Sequence, residues 1–116
     1  MNPRRGEVWW VKLDPAVGSE QAKTRPVVVV SADGMGRLPL RIVVPCTEWK
    51  AQYEGYPWFV RLPAQASSGL QKDSGADSFQ VRSLSLKRFA RRAGRLDDES
   101  LGEIAAAIAL CVDYEG

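Results

Sequence analysis

The chain has 116 residues, of which 45% are apolar and 26% are charged, with 16 Lys and Arg against 14 Asp and Glu. This length predicts a single domain over 1–116 that buries a core of its own, with no room for a separate regulatory domain. The sequence contains no histidine. This excludes the usual neutral-pH general base, the commonest metal ligand and the base of most nucleophilic triads.

The first five predicted strands are short and are separated by polar or glycine-containing segments. They cover 7–13, 26–30, 38–46, 58–62 and 78–82. The run of valines after Pro26 has no polar side, so this strand is expected to be buried on both faces. Segments 16–24 and 63–77 are predicted to be mainly loop, and 33–36 a glycine-rich turn.

The C-terminal part changes to helical periodicity. Apolar residues recur at 101, 104, 105, 108 and 112, and Asp97 stands where a helix cap is expected. A shorter helix over 85–89 and a strand over 93–96 precede it. The resulting fold class is mainly β with a C-terminal helix, arranged as a small, strongly bent barrel or sandwich.

Cys46 and Cys111 lie in apolar contexts and lack the CxxC spacing of a zinc or redox site. They are predicted to be reduced and buried in a cytoplasmic protein. No apolar run approaches the roughly 20 residues that span a bilayer, so neither a signal peptide nor a membrane anchor is expected.

Charge is unevenly distributed along the chain. The basic segment, 82–95, carries six basic residues and no acidic one, whereas every charge from Asp97 onward is acidic. One interpretation is a surface that contacts phosphates or an acidic partner. The other is a solvated face balanced by the acidic helix that follows.

Arg25 lies between a polar loop and the buried valine strand, with Pro26 directly behind it. A guanidinium fixed in this way can hold two phosphate oxygens at once. The alternative is an ordinary boundary arginine that covers the edge of the sheet.

Thr47 follows the apolar strand end Val43-Val44-Pro45-Cys46 and stands beside Glu48. It offers a hydroxyl at a strand end, although such a threonine can also make a local turn. Cys46 is not a candidate nucleophile, because no histidine is present to ionise a buried thiol. The sequence has no phosphate-binding glycine loop, and the acidic run 97–99 is explained by helix capping rather than by a metal site.

Several motifs in order along the chain resemble the MazF/PemK family of endoribonuclease toxins. They are Arg5-Gly6-Glu7-Val8-Trp9-Trp10, Gly18-Ser19-Glu20, Lys23-Thr24-Arg25-Pro26, Val44-Pro45-Cys46-Thr47, Ser78-Phe79-Gln80-Val81-Arg82-Ser83 and Arg95-Leu96-Asp97-Asp98-Glu99. The resemblance covers essentially the whole chain. It implies an SH3-like β-barrel with a C-terminal helix, of the CcdB/MazF/PemK type, acting as a homodimer.

The resemblance also implies a reaction. Single-stranded RNA is cleaved at a short sequence without a metal or other cofactor, as the ribose 2′-OH attacks phosphorus and leaves a 2′,3′-cyclic phosphate and a 5′-OH. Arg25 and Thr47 match the family's catalytic positions, and Glu20 matches a position linked to activity in some members. Residues assigned to RNA binding on the same basis are Ser19, Lys23, Gln80 and Arg82.

A MazE-like antitoxin with a disordered, often acidic tail is the implied protein partner, and the basic segment is a candidate part of its binding surface. Bases of the RNA are expected to stack on aromatic side chains, for which the candidates are Trp10, Trp49, Tyr53 and Trp58. Glu48 departs from the family pattern and would repel RNA unless it points away or pairs with Lys50 or an arginine. The alternative function is that of the structurally similar CcdB toxins, which bind DNA gyrase without catalysis.

Overall fold

The computed structural model describes residues 1–13 and 24–115. Within these ranges it has seven strands and one α-helix: β1 Glu7–Lys12, β2 Thr24–Val29, β3 Leu40–Glu48, β4 Phe59–Leu62, β5 Ser74–Asp77, β6 Arg82–Ser85, β7 Phe89–Arg95 and α1 Asp98–Cys111. Short 3-10 turns cover 51–55, 78–80 and 86–88. The predicted mainly β class with a C-terminal helix is confirmed.

The strands form one antiparallel sheet in the order β4-β5-β3-β2-β1-β7, with β6 attached to β3. β3 pairs with two strands along the same edge. Its first part pairs with β6, and its last three residues pair with β5. Among the described residues the end strands β4 and β7 do not pair. The sheet is therefore not closed, but it is barrel-like and agrees with the predicted fold class.

β2 is buried on both faces, as its valine run predicts. Val27 and Val29 pack in one apolar cluster with Trp9 and Phe89. Val28, between them along the strand, belongs to a second cluster that includes the buried residues of α1. Because successive side chains of a strand point to opposite faces, β2 separates the two clusters and contributes to both.

α1 begins where the sequence predicts. The carboxylate of Asp97 accepts a hydrogen bond from the backbone N–H of Ser100 at 2.6 Å. This hydrogen bond lowers the pKa of Asp97, because it stabilises the charged form of the side chain. The cap satisfies one of the backbone donors that a helix start leaves unpaired.

The buried face of α1 differs from the predicted one in two places. Its buried residues are Leu101, Ile104 and Ala107, so Ala107 stands in the core where Ala105 was expected. Val112 is 68% exposed and lies past the helical residues, at the C-cap. The helix ends one residue before Val112, so the predicted apolar stripe stops at Ile108.

Strand boundaries between 63 and 82 were predicted wrongly. β5 occupies 74–77, inside the stretch expected to be loop, while 78–80 forms a 3-10 turn and not a strand. The small residues of β5 give no strand pattern in the sequence. The packing nevertheless requires a small residue, because a Cβ on Gly75 would lie 2.9 Å from Cδ1 of Phe59. The predicted short helix at 85–89 is the 3-10 turn 86–88, and residues 93–95 continue β7.

Both cysteines are free thiols. Cys46 is buried as predicted, but Cys111 is half-buried near the end of α1 and not enclosed in the core. In the described ranges, no helix is both long and apolar enough to cross a membrane.

Candidate functional site

Sheet register places the two main candidate residues beside each other. Val27 of β2 pairs with Pro45 of β3, and continuing this antiparallel register by two residues brings Arg25 level with Thr47. Arg25 is also paired with Val11 of β1, and Thr47 with Gly75 of β5. Both residues thus stand on backbone held by a neighbouring strand, which fixes the positions from which their side chains project.

Arg25, Cys46 and Thr47 line both of two cavities. The Trp10 cavity, of about 270 Å³, is lined by Trp10, Thr24, Arg25, Pro26, Cys46, Thr47, Glu48, Leu70, Gln71, Lys72 and Ser74. The Gln80 cavity, of about 330 Å³, is lined by Leu13, Arg25, Pro45, Cys46, Thr47, Tyr53, Asp77 and Gln80. A ligand atom held by Arg25 and Thr47 would therefore adjoin both cavities.

The charge of Arg25 is not neutralised within the described part of the chain. Its side chain is exposed, and none of the ion pairs among residues 1–13 and 24–115 involves it. Guanidinium groups bind phosphate or carboxylate oxygens in a bidentate manner. Arg25 is therefore suited to an anionic ligand.

Glu48 stands at the rim of the Trp10 cavity, where a carboxylate would repel an anion. Lys72 lies beside it, with Nζ 3.9 Å from Glu48 Oε2, and both side chains are exposed. The partner is Lys72, and not the expected Lys50 or an arginine. This lysine offsets the negative charge next to Thr47, although an exposed pair of this kind contributes little to stability.

Cys46 lines both cavities but is poorly suited to nucleophilic chemistry. Burial raises the pKa of the Cys46 thiol to about 12, because desolvation disfavours the thiolate. Among the described residues, no group of three or more cysteine, aspartate and glutamate side chains could hold a metal ion. The chemical groups that remain at the shared wall are a guanidinium and a hydroxyl.

Comparison with known protein families identifies the family of the chain. The family model of PemK-like, MazF-like toxins of type II toxin–antitoxin systems matches residues 4–112. The chain belongs to this family. Relatives with similar sequences include the endoribonuclease MazF9 of Mycobacterium tuberculosis, 40% identical over 95% of this chain and 96% of that protein. The endoribonuclease toxin MazF of Escherichia coli K12 is 38% identical to this chain, and the match covers 91% of this chain and 90% of that protein.

Solved structures of PemK/MazF proteins share the fold. MazF of Deinococcus radiodurans superposes with a TM-score of 0.77 at 25% identity, covering 97% of this chain and 98% of that one. A MazE–MazF structure from the same organism gives a TM-score of 0.80 at 25% identity, covering 97% of each chain. The open, barrel-like sheet with its C-terminal helix is thus the architecture of known MazF proteins.

The structure brings together some of the predicted site residues of this PemK/MazF chain. Gln80 lines the cavity that contains Arg25 and Thr47. Arg82 does not: it pairs with Val43 in the first half of β3 and lines neither cavity. The remaining predictions, Ser19, Glu20 and Lys23, lie outside the described residues.

Two of the four aromatic candidates reach the cavities, one on each side. Trp10 lines the first cavity and Tyr53 the second, whereas Trp49 and Trp58 line neither. Tyr53 is held by a stacked contact with Phe59, with ring centroids 4.0 Å apart. Its ring is therefore fixed in place in the wall of the Gln80 cavity.

Sequence reasoning did not find Lys72 and Asp77, which belong to the rims of the two cavities. Both lie in the stretch 63–77 that was predicted as loop. The alternation of small residues in 74–77 is too weak a signal to place a strand there. Without β5 beside β3, neither side chain could be assigned to the neighbourhood of Thr47.

Proposed function

We propose that this PemK/MazF protein is an endoribonuclease toxin that cleaves single-stranded RNA at a specific sequence without a metal ion. The observation that carries the proposal is that Arg25 and Thr47 line both cavities, so that a phosphate bound by the two side chains would adjoin each of them. Consecutive nucleotides of an extended RNA strand present their bases on either side of the phosphate that joins them. The 270 and 330 Å³ cavities are the corresponding sites for the two flanking nucleotides.

In the proposed reaction the ribose 2′-oxygen attacks phosphorus and the bond from phosphorus to the 5′-oxygen breaks. The 2′-hydroxyl loses its proton to a base and the 5′-oxygen gains one, leaving a 2′,3′-cyclic phosphate and a 5′-OH. Arg25 binds the phosphoryl oxygens, on which negative charge grows, and Thr47 donates a hydrogen bond to them. Arg25 can also supply the proton to the leaving oxygen, and Glu20 is the candidate base.

The proposal includes the assembly and control of the toxin. A MazF relative from Deinococcus radiodurans has been solved with MazE. We expect a MazE-like antitoxin to neutralise this chain in the cytoplasm by covering the two cavities that Arg25 lines. The active form is expected to be a homodimer.

The experiment is cleavage of a long single-stranded RNA by the purified protein in EDTA, with the ends mapped by primer extension. We expect cutting at one short sequence, and Arg25→Ala is expected to lower the rate at least 100-fold, since removing one transition-state donor typically costs roughly 100- to 1,000-fold. Arg37→Ala is the matched control, because Arg37 is exposed and lines neither cavity.

Complete loss of activity in EDTA, or full activity of Arg25→Ala at unchanged fold, would contradict the proposal. Inhibition of DNA gyrase at matched concentrations, without any RNA cleavage, would instead support the alternative of a non-catalytic toxin.

A further inference from the structure

Arg91 of β7 lies beside the Trp10 cavity without being part of its lining. In the sheet register, Trp10 is paired with Arg91 on one side and with Pro26 on the other. Cross-strand neighbours project from the same face of a sheet, and Pro26 lines the Trp10 cavity. The Trp10 ring therefore stands between the cavity and Arg91.

The guanidinium of Arg91 is held in place, yet its hydrogen-bond donors are unused. Its Cζ atom lies 5.3 Å from the centroid of the Trp10 ring, which is the distance of a cation–π contact. No hydrogen bond or ion pair among the described residues involves this side chain, whereas Arg88, Arg92 and Arg95 each bind a carbonyl or carboxylate oxygen. Arg91 is exposed, so its N–H groups can bind an anion from solution.

The face of the sheet that carries Trp10 and Arg91 has a second cation and no carboxylate on β1 or β7. Lys12 projects from the same face, two residues further along β1, and is exposed. The single carboxylate of β1, Glu7, belongs to the opposite face, where it binds the indole N–H of Trp9 and the guanidinium of Arg92. An anion that reaches Arg91 is therefore not repelled by these two strands.

An RNA strand bound at Arg25 passes near this face. Under the proposed function, the Trp10 cavity takes one nucleotide next to the reacting phosphate, and the strand continues beyond that nucleotide. Arg91 lies two strand spacings from β2, which is about 10 Å. The backbone of the nucleotide in the cavity can span such a distance, so the phosphate that follows it comes within reach of Arg91.

We propose that Arg91 binds a backbone phosphate of the RNA outside the two cavities, on the side where the strand leaves the Trp10 cavity. The proposal rests on the proposed function and adds to it a phosphate subsite on β7. A guanidinium holds two phosphate oxygens at once, and phosphate contacts position a strand without reading its sequence. The subsite therefore raises the affinity for RNA of any sequence that fits the two cavities.

The test is the salt dependence of RNA binding. The probe is a single-stranded RNA with the mapped cleavage sequence and a 2′-O-methyl group on the attacking ribose, which prevents cleavage. For single strands, the logarithm of the affinity falls with the logarithm of the salt concentration with a slope of about −0.7 per phosphate contact. Arg91→Ala is expected to make the slope shallower by about 0.7, which is roughly eightfold weaker binding at about 50 mM salt if the affinities converge at about 1 M.

Two further variants separate the contact from overall charge and from packing. Arg91→Lys keeps the charge and is expected to keep the slope of the wild type. Lys87→Ala removes the same charge from the basic segment and is the matched control, because Lys87 is exposed and lines neither cavity. It is expected to leave the slope unchanged.

Shortened RNAs locate the contact on the strand. The RNA is shortened from its 5′ end in one series and from its 3′ end in the other, as far as the two nucleotides that flank the scissile phosphate. Shortening from only one of the two ends is expected to abolish the difference between the wild type and Arg91→Ala. A merely structural role of Arg91 would weaken the binding of all these RNAs alike.

A wild-type protein that cuts RNA, combined with an unchanged slope in Arg91→Ala, would overturn the inference and leave the proposed function intact. The same holds if Lys87→Ala changes the slope equally, or if the difference survives shortening from both ends. Unchanged RNA binding with weaker binding of an acidic peptide by Arg91→Ala would assign the residue to a protein partner and reject the phosphate subsite. A wild-type protein that neither binds nor cuts RNA would overturn the proposed function, and the subsite with it.

Discussion

The strand β7 and the start of β2 both carry arginine, but the two regions hold it in different surroundings. In β7 and the turn before it, four arginines contact β1 or its flanking backbone. Arg88 donates to the carbonyl oxygens of Lys12 and Leu13, Arg91 lies over the Trp10 ring, Arg92 pairs with Glu7, and Arg95 donates to the carbonyl of Arg5. Arg25 has no ion-pair partner among the described residues.

The difference shows that a run of basic residues in the sequence does not by itself indicate a nucleic-acid-binding surface. The basic segment 82–95 is rich in charge, yet much of that charge fastens β7 to β1. None of the described ion pairs joins it to the acidic helix that follows. The single Arg25, which adds little to the charge count, lines two cavities and has no ion-pair partner in the part of the chain that the structure describes.

The largest effect, on the rate of RNA cleavage, is expected when arginine is exchanged for lysine in the two regions and the rates of the variants are compared. Arg25→Lys keeps the charge but loses the planar fork that holds two oxygens, so we expect RNA cleavage to slow on the order of 100-fold. Arg92→Lys is the matched change in β7 and is expected to leave the rate unchanged. The measurement is single-turnover cleavage of one short RNA. Equal losses in both variants would remove the distinction between the two regions.

A smaller effect, on stability, is expected from the backbone of β7. A Cβ at Gly94 would lie 2.4 Å from the carbonyl oxygen of Ser67, so Gly94→Ala must push two chain segments apart. We expect the free energy of unfolding to fall by about 1–3 kcal/mol, measured by urea denaturation, with unchanged cleavage by the folded protein. Gly55→Ala, where nothing lies within 4 Å of the new Cβ, is the control. Unchanged stability of Gly94→Ala would show that β7 is not tightly held there.

Where the sequence pattern was strong, the fold could be predicted. The valine run of β2 and the capped periodicity of α1 each reflect a local rule, burial on two faces or a 3.6-residue repeat. Both elements were predicted correctly, although two positions of the buried face of α1 were not. The prediction of β5 failed because Ser74, Gly75 and Ala76 are weak strand formers. Its place is set by pairing with β3 and β4 and by the aromatic rings that Gly75 admits, which are tertiary effects.

The candidate site was predictable only in part for the same reason. Arg25 and Thr47 stand next to strongly apolar strands, so their neighbourhood follows from the register. Lys72 precedes β5 and Asp77 ends it, and no local signal indicates their position. Arg82 illustrates the opposite error: it is close to Gln80 in sequence but lies on β6, which pairs with the other half of β3.

The smallest effect, on the free energy of unfolding, is expected from replacing Glu7, whose carboxylate pairs with Arg92. Burial by itself raises the pKa of Glu7, but hydrogen bonds from Trp9 and from the backbone N–H of Arg4, together with Arg92, outweigh it and hold the pKa below 4.5. A pKa that is lower in the folded than in the unfolded state stabilises the fold above the unfolded value, and the contribution is lost as pH falls through the lowered one. Glu7 should therefore stabilise the protein at neutral pH and cease to do so in acid.

Glu7→Gln is expected to lower the free energy of unfolding at pH 7 by about 1 kcal/mol, with no change in RNA cleavage. The gap between the variant and the wild type should narrow as pH falls below 4.5, since protonation then removes the charge from the wild type as well. Urea denaturation from pH 7 to pH 3 measures the gap, and Glu54→Gln, an exposed acid without an ion pair among the described residues, is the control. A gap that stays constant with pH would mean that Glu7 contributes packing rather than charge. A loss of cleavage would place the Glu7–Arg92 pair in the functional region, and the contrast between β7 and Arg25 would then no longer hold.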